Sequence, residues 1–539
     1  MRKYFAALLL LLAAAVPAQA KLGDDPCPRP AQGSVVQRPA DLYSQNGTLE
    51  VSLGYYTSVD DAGQTLFCFA TADGKESPTL HVNPGDKLKV TLTNNIPAPA
   101  GGPAELMMST VDACNDPTMT AASVNMHFHG TNVSPKCHSD EVIHTLINSG
   151  ETYTYTIKIP KNEPPGLYWY HPHVHTLSQS ALLGGASGII EVEGIANLQP
   201  AVSGLPERIL VIRDQLAQTT AARLPAGYPP TWDISLNYVP VIYPDYVAPV
   251  LQTAVGEQEF WRVTNASANT VADLQVQYDK KVQSLQIVAF DGVPTGSQDG
   301  KRQGTIVTQK DVLIPPGGRA EFIITAPSST VKTAVLLTKD IDTGHFGDKD
   351  PERILASIQN TAAPAGLQRL PKRSGPPNKQ RFEYLADVKP TATRLLYFSE
   401  GGPWYFITVD GQNSELFDPD NPPAITTTQG AVEDWTIQNR TAEVHEFHIH
   451  QIHFLVTAVD GVPIPKKKQQ FYDTYQVNYW LGGGDYPSIT ARMDFRGPTI
   501  GDFVYHCHIL KHEDAGMMAI IRVQKAKKGG AAKLRTARK

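Results

Sequence analysis

Apolar and polar side chains alternate one by one along several stretches of this 539-residue chain. In residues 86–94, Leu88, Val90 and Leu92 alternate with Lys87, Lys89 and Thr91. Residues 151–160 repeat the pattern with Tyr153, Tyr155, Ile157 and Ile159. A period of two puts one set of side chains on each face of an extended backbone, so each stretch predicts a half-buried strand. Residues 260–265, 319–327 and 431–439 carry similar runs. Helical periodicity is scarce and short, and 42 Gly with 42 Pro supply turns. The expectation is an all-β chain of stacked sandwiches.

Three segments share one plan of glycine, acidic residue, alternating strand and asparagine: VNPGDKLKVTLTNN, AVGEQEFWRVTNAS and TTQGAVEDWTIQNRT. They start roughly 170 residues apart, the spacing expected of three copies of one sandwich unit. Pro- and Gly-rich stretches at 193–206 and 369–381 read as boundaries. The division predicted is a leader over 1–20, domains over 40–195, 196–375 and 380–525, and a basic tail over 526–539.

Charge removes one class of partner. With 47 Lys+Arg against 53 Asp+Glu and no basic stripe in the folded region, nothing favours nucleic acid. The N-terminus MRKYFAALLLLLAAAVPAQAK joins two basic residues to an apolar run and an Ala-Gln-Ala cleavage site. That is the layout of a secretory signal peptide, and its apolar run is short for a membrane span. The chain is expected to be exported to a periplasm or to the outside of the cell, without stable membrane insertion, as a monomer. In an oxidising compartment four of its five cysteines can form two disulfides. Three pairings of Cys27, Cys68, Cys114 and Cys137 are open, with Cys507 as the candidate free thiol.

Ten of the 16 histidines fall in four clusters: HFHG (His127, His129), HPH (His171, His173), HEFHIH (His445, His448, His450) and HCHILKH (His506, His508, His512). On a strand, residues two apart share a face, so His506 and His508 point one way and Cys507 the other. One strand can therefore serve two metal sites. Cys507, His512 and Met517 together with His445 offer a thiolate, two imidazoles and a weak thioether, the donors of a blue-copper electron-transfer site. Eight further imidazoles exceed what a structural zinc uses.

These motifs, in this order, resemble those of the three-domain multicopper oxidases that include laccases, over about residues 40 to 525. The resemblance implies three cupredoxin-like Greek-key domains and four copper ions. His445, Cys507, His512 and Met517 would hold type 1 copper, and His127 and His448 type 2. His129, His171 and His508 would hold one type 3 copper, and His173, His450 and His506 the other. The middle domain would be a spacer without ligands. One departure stands out: Glu446 and Gln451 occupy places where the family commonly has Pro and Gly.

The activity this implies is oxidation of a small reducing substrate, a phenol or aromatic amine, in four one-electron steps coupled to reduction of O2 to two waters. Electrons would enter through an exposed edge of His445 or His512 and pass through Cys507. Asp140 and Glu513 are candidate proton-relay acids or, equally, loop charges. Glu433 reads as structural, His175 and His453 as groups behind the ligands, and His81, His138, His144 and His345 as ordinary structural or surface histidines. A cuprous or ferrous ion oxidase is the alternative, with Met107, Met108, Met119 and Met126 as its only sulfur cluster. A non-catalytic cupredoxin electron carrier or envelope protein is the rival from another class; it would not need the eight extra imidazoles.

Overall fold

The computed structural model describes residues 25–98, 112–114, 117–216, 229–299, 304–372, 381–382 and 384–526. The predicted leader, the tail past residue 526, and Met107 and Met108 lie outside the described residues. Among the described residues the regular secondary structure is nearly all strand, in six sheets. A five-stranded and a four-stranded sheet use strands between Asp41 and Val192. A nine-stranded and a six-stranded sheet use those between Pro206 and Arg369, and a seven-stranded and a five-stranded sheet those between Ala392 and Gln524.

The alternating stretches form strands where period-two burial demands them. Lys87–Asn94 pairs antiparallel with Thr152–Lys158, setting Leu88 opposite Ile157, Val90 opposite Tyr155 and Leu92 opposite Tyr153. All six side chains are buried, and the intervening Lys and Thr face outward. Removing each such apolar side chain from water contributes about 1.5–3 kcal/mol. The other runs become Gln258–Asn265, Arg319–Thr325 and Val432–Asn439.

Two disulfides, Cys27–Cys68 and Cys114–Cys137, use the four early cysteines, and Cys507 is free and buried. The three sheet pairs meet at a small apolar cluster. Leu167, Trp169, Leu182 and Ile189 come from the first pair, Ile209, Val211, Ala266 and Ala268 from the second, and Leu510 from the third. Where the first two pairs adjoin, Arg262 bridges Glu191, Glu207 and Glu321, and Arg38 reaches Glu207 at 3.0 Å. No helix among the described residues is long and apolar enough to cross a membrane.

Candidate metal centres

Strand Gly501–Cys507 realises the parity written in the sequence. Phe503, Tyr505 and Cys507 belong to the core of the third sheet pair, whereas Val504 packs outward against Val142, Met518 and Ile520. The neighbouring strand His445–Ile449 aligns Phe447 with Cys507 and His448 with His506. Cys507 Sγ lies 3.5 Å from His445 Nδ1 and 3.7 Å from His512 Nδ1, and the two nitrogens are 3.1 Å apart. A point equidistant from these three atoms is about 2 Å from each, the length of a metal–nitrogen or metal–thiolate bond. The short helix Leu510–Asp514 brings His512 back to the sulfur. Met517 is fully buried in the same core, its N–H donating to His512 O and its carbonyl accepting from Cys507 N–H. Burial pushes the Cys507 thiol up, so a metal ion must displace its proton on binding.

On the other side of these strands eight imidazoles converge. His127, His129, His171 and His173 come from the first sheet pair and His448, His450, His506 and His508 from the third; all are at most 1 % exposed. Rings stack across the seam, His127 on His450 at 3.8 Å and His129 on His448 at 4.0 Å between centroids. The donor atoms of His173, His450 and His506 lie within 4.8 Å of one another, as do those of His127, His129 and His171, and of His127, His448 and His450. His508 stands 5.0 Å from His129 and 5.7 Å from His171, ring to ring.

The hydrogen bonds of these rings show what they await. His171 Nδ1 faces Pro172 O at 2.9 Å, His448 Nδ1 Asp473 O at 2.8 Å and His506 Nδ1 Cys507 O at 2.9 Å. Donation there leaves Nε2 as a lone pair. Nε2 of His127, His171 and His448, Nδ1 of His129 and His450, and both nitrogens of His508 are buried with no hydrogen-bond partner. His506 Nε2 faces Nε2 of both His173 and His450 at 3.2 Å. Burial, reinforced by neighbouring imidazoles, holds these rings well below the usual histidine range, His506 at about 3. Protons cannot neutralise so many lone pairs; metal ions can. The donor set fits copper: thiolate with imidazoles in one cluster, imidazoles alone in the other.

Comparison with known proteins agrees. The family description "Multicopper oxidase" matches twice, over residues 387–527 and 110–195. The first and third sheet pairs thus match the multicopper oxidase family. A multicopper oxidase of Staphylococcus haemolyticus is 24 % identical over 451 residues, covering 83 % of this chain and 81 % of that protein. A laccase of Bacillus stratosphericus is 25 % identical over 493 residues, covering 82 % and 88 %. Among solved structures, a Campylobacter jejuni multicopper oxidase described as a metallo-oxidase superposes with a TM-score of 0.65 at 20 % identity, covering 95 % of this chain and 98 % of that one. That likeness carries the cupredoxin-like fold. The chain is accordingly a copper-dependent oxidoreductase that uses oxygen.

Both acids singled out in the sequence sit against the imidazole cluster of this oxidase. Asp140 faces His127 Nδ1 at 3.1 Å and accepts from Phe128 N–H at 3.0 Å and from Gln451 Nε2. Burial outweighs those hydrogen bonds and pushes its carboxyl up to about 7. Gln451 is in the left-handed region at φ 57°, where glycine is at ease; a side chain there is strained by about 1–3 kcal/mol. Its amide ties the third sheet pair to Asp140 of the first. Glu513 Oε2 is 3.1 Å from His506 Nδ1, and Oε1 3.8 Å from His173 Nδ1. Burial raises Glu513 far above the carboxylate range. Glu433 binds Arg394, Trp435 and Thr427 and is structural.

Several groups in the cluster's surroundings had no marker in the sequence. Asp473 Oδ1 is 3.1 Å from His129 Nε2, and Thr474 Oγ1 is 3.2 Å from His448 Nδ1. Arg319, from the middle sheets, donates to both oxygens of Asp473, at 2.7 and 2.5 Å. His453 Nε2 points to Asp291 O at 2.7 Å and lies 3.4 Å from Asp473 Oδ2; His175 packs against Phe417.

The exposed ring edge expected at His445 or His512 is absent. The rings are 0 % and 2 % exposed. Tyr405 stacks on His512 at 4.2 Å and Phe398 on His445 at 4.8 Å. His512 Nε2 meets Glu443 Oε1 at 3.5 Å, while His445 Nε2 meets Thr441 Oγ1 at 2.9 Å and Glu400 Oε1 at 3.7 Å. Burial and the Glu400 charge push Glu443 up to about 7. No local pattern places Glu400 at a ring edge, because it lies 45 residues before His445 on another strand; Glu443 is two residues from His445 but meets the other ring, that of His512.

Proposed function

We propose a four-copper, laccase-like oxidase that draws single electrons from a phenol or aromatic amine and reduces O2 to two waters. The observation that carries this is the two donor clusters on opposite faces of one strand, joined through Cys507 and its neighbours His506 and His508. His445, Cys507, His512 and Met517 would hold the type 1 ion, and His127 and His448 the type 2 ion. His129, His171 and His508 would hold one type 3 ion, and His173, His450 and His506 the other. Copper supplies one-electron acceptance at the sulfur site and four-electron delivery to dioxygen at the imidazole cluster.

The protein's own groups do the rest. Glu400 and Glu443 receive the donor at the ring edges, Cys507 conducts through its backbone to His506 and His508, and Asp140 and Glu513 hold protons beside the imidazoles. The laccase among its relatives supports the phenolic donor. Two carboxylates at the two Nε2 edges favour a second reading, a cuprous or ferrous ion as donor. Export is part of the proposal, supported by the N-terminal leader pattern and by two disulfides, which persist in oxidising compartments. The protein would act as a monomer in the periplasm or outside the cell.

Turnover of a phenol and of Cu(I) or Fe(II) by wild type, Glu400→Gln and Glu443→Gln separates the readings. A phenolic oxidase loses less than tenfold on the phenol when either charge is removed. A metal-ion oxidase loses most of its kcat/KM on the cation and turns the phenol over poorly throughout. No oxygen uptake with any donor after copper loading would overturn both.

A further inference from the structure

The middle sheets hold no candidate copper ligand, which is why they read as a spacer in the sequence. We propose that the middle-domain segment 315–319 is a positioning element for the copper site of His129, His171 and His508, a reading that rests on the ligand division proposed above. His129 and His508 come from different sheet pairs and lie far apart in the sequence, so a third body in contact with both sides can add to the direct contacts that set their mutual placement. Segment 315–319 touches the surroundings of both.

Arg319 is the first contact. Its guanidinium is fully buried, and each of its bonds is spent on a fixed group. Nη1 and Nη2 fork onto Asp473, Nε donates to Leu167 O at 3.2 Å, and Nη1 also donates to Gly317 O at 2.9 Å. One planar cation thus ties all three sheet pairs together, a task for Arg rather than Lys. Asp473 in turn faces His129 Nε2, which leaves Nδ1 as the atom directed at the cluster. A carboxylate behind a ligating imidazole fixes its tautomer and orientation. Asp291 holds the arrangement from the backbone, accepting from Arg319 N–H at 2.7 Å and from Asp473 N–H at 3.0 Å.

Gly317 is the second contact. Its φ is +85°, and a Cβ there would come 2.8 Å from His508 Nε2 and 2.9 Å from Cδ2. His508 has no hydrogen bond at either nitrogen, so packing alone sets its ring, and Gly317 is one wall of that slot. The glycine of HFHG has a matching role. At φ +84°, Gly130 leaves the space that a Cβ would take from Arg319 Nη2 and Asp473 Oδ2. Arg319 therefore acts through Asp473 as a positioning residue; it touches no reacting atom.

The test compares copper-loaded Arg319→Gln, Arg319→Lys and Gly317→Ala with Arg213→Gln. Arg213 is also a buried middle-domain arginine, but it binds Ser187, away from both clusters. Copper per chain, the visible thiolate-to-copper absorption and the EPR-visible share of copper are measured; a coupled copper pair is EPR-silent. Wild type should show about half its copper as EPR-visible. Arg319→Gln should keep its visible absorption per chain, while its copper count falls or its EPR-visible share rises above half. Arg319→Lys should fall between it and wild type. Arg213→Gln should lose thermal stability but keep both the copper count and the silent pair.

If Arg319→Gln fails to fold, Gly317→Ala, which leaves every ion pair in place, must change the EPR-visible share by itself. An unchanged silent pair in Arg319→Gln or Gly317→Ala, or equal loss in Arg213→Gln, overturns the proposal. A wild type without any silent pair would instead overturn the ligand division beneath it.

Discussion

At the residue scale, Cys507 faces His445 and His512 while its neighbour His506 faces His173 across the seam. The parity of Cys507 against His506 and His508 followed from strand geometry, and its oddness among five cysteines from counting. The pairing of the other four did not follow, because disulfide partners are chosen by tertiary approach and not by spacing. Glu446 shows a second limit. Its N–H donates to Cys507 Sγ at 3.4 Å and its carbonyl accepts from His508 N–H at 2.7 Å, so its backbone spans both centres. A proline there has no N–H to give the sulfur. Such a hydrogen bond draws density from the thiolate and raises the reduction potential, whereas an axial thioether lowers it. Replacing Met517 with Leu should therefore raise the type 1 potential in a redox titration; an unchanged value would exclude Met517 from coordination.

At the element scale, alternating strands were legible because burial alone sets their period. The strand His445–Ile449 was legible only as a ligand motif, since all five residues are buried and no alternation shows. What lines its two faces came only with the fold: Phe447 packs on Phe454 at 5.5 Å and stands opposite Cys507. Phe447→Ala should cost about 3–5 kcal/mol in denaturant unfolding, the range for truncating a buried aromatic. It should also weaken the visible absorption of the sulfur site, because the strand that carries His445 loses its backing. The segment holding Arg319 was recognisable as a strand but not as part of the site. Its partner Asp473 lies 154 residues away, and nothing local marks such a pair.

At the scale of the whole molecule, charge and apolar contacts share the work of fixing three units. His81 lies between Asp41 at 2.8 Å and Glu193 at 2.9 Å, with Glu191 at 3.6 Å, Tyr43 stacked on its ring, and the Arg38–Glu207–Arg262 network beyond. Burial alone would lower its pKa; the hydrogen bonds to Asp41 and Glu193 and the nearby carboxylate charges outweigh it and push it up to about 9. A raised histidine contributes its full stability below about 6.5 and loses it as pH climbs through about 9. His81→Asn should therefore destabilise most at pH 6 and below, by up to about 3 kcal/mol, and match wild type above pH 9 in chemical denaturation. Three sandwiches were foreseeable from the repeat; their mutual docking was not, because its contacts join residues of different units that no local pattern pairs. That docking reaches into the turn after Cys507. Leu510 belongs to the apolar cluster where all three units meet and its N–H donates to Ala268 O at 2.8 Å; Lys511 N–H donates to Asn269 Oδ1. The loop between Cys507 and His512 is thus shaped by a neighbour that supplies no metal donor. Excised from its companions, the C-terminal sandwich would keep every atom of its sulfur site and lose the surface that gives that loop its form, so an intact electron-transfer module is not recoverable from this chain by cutting.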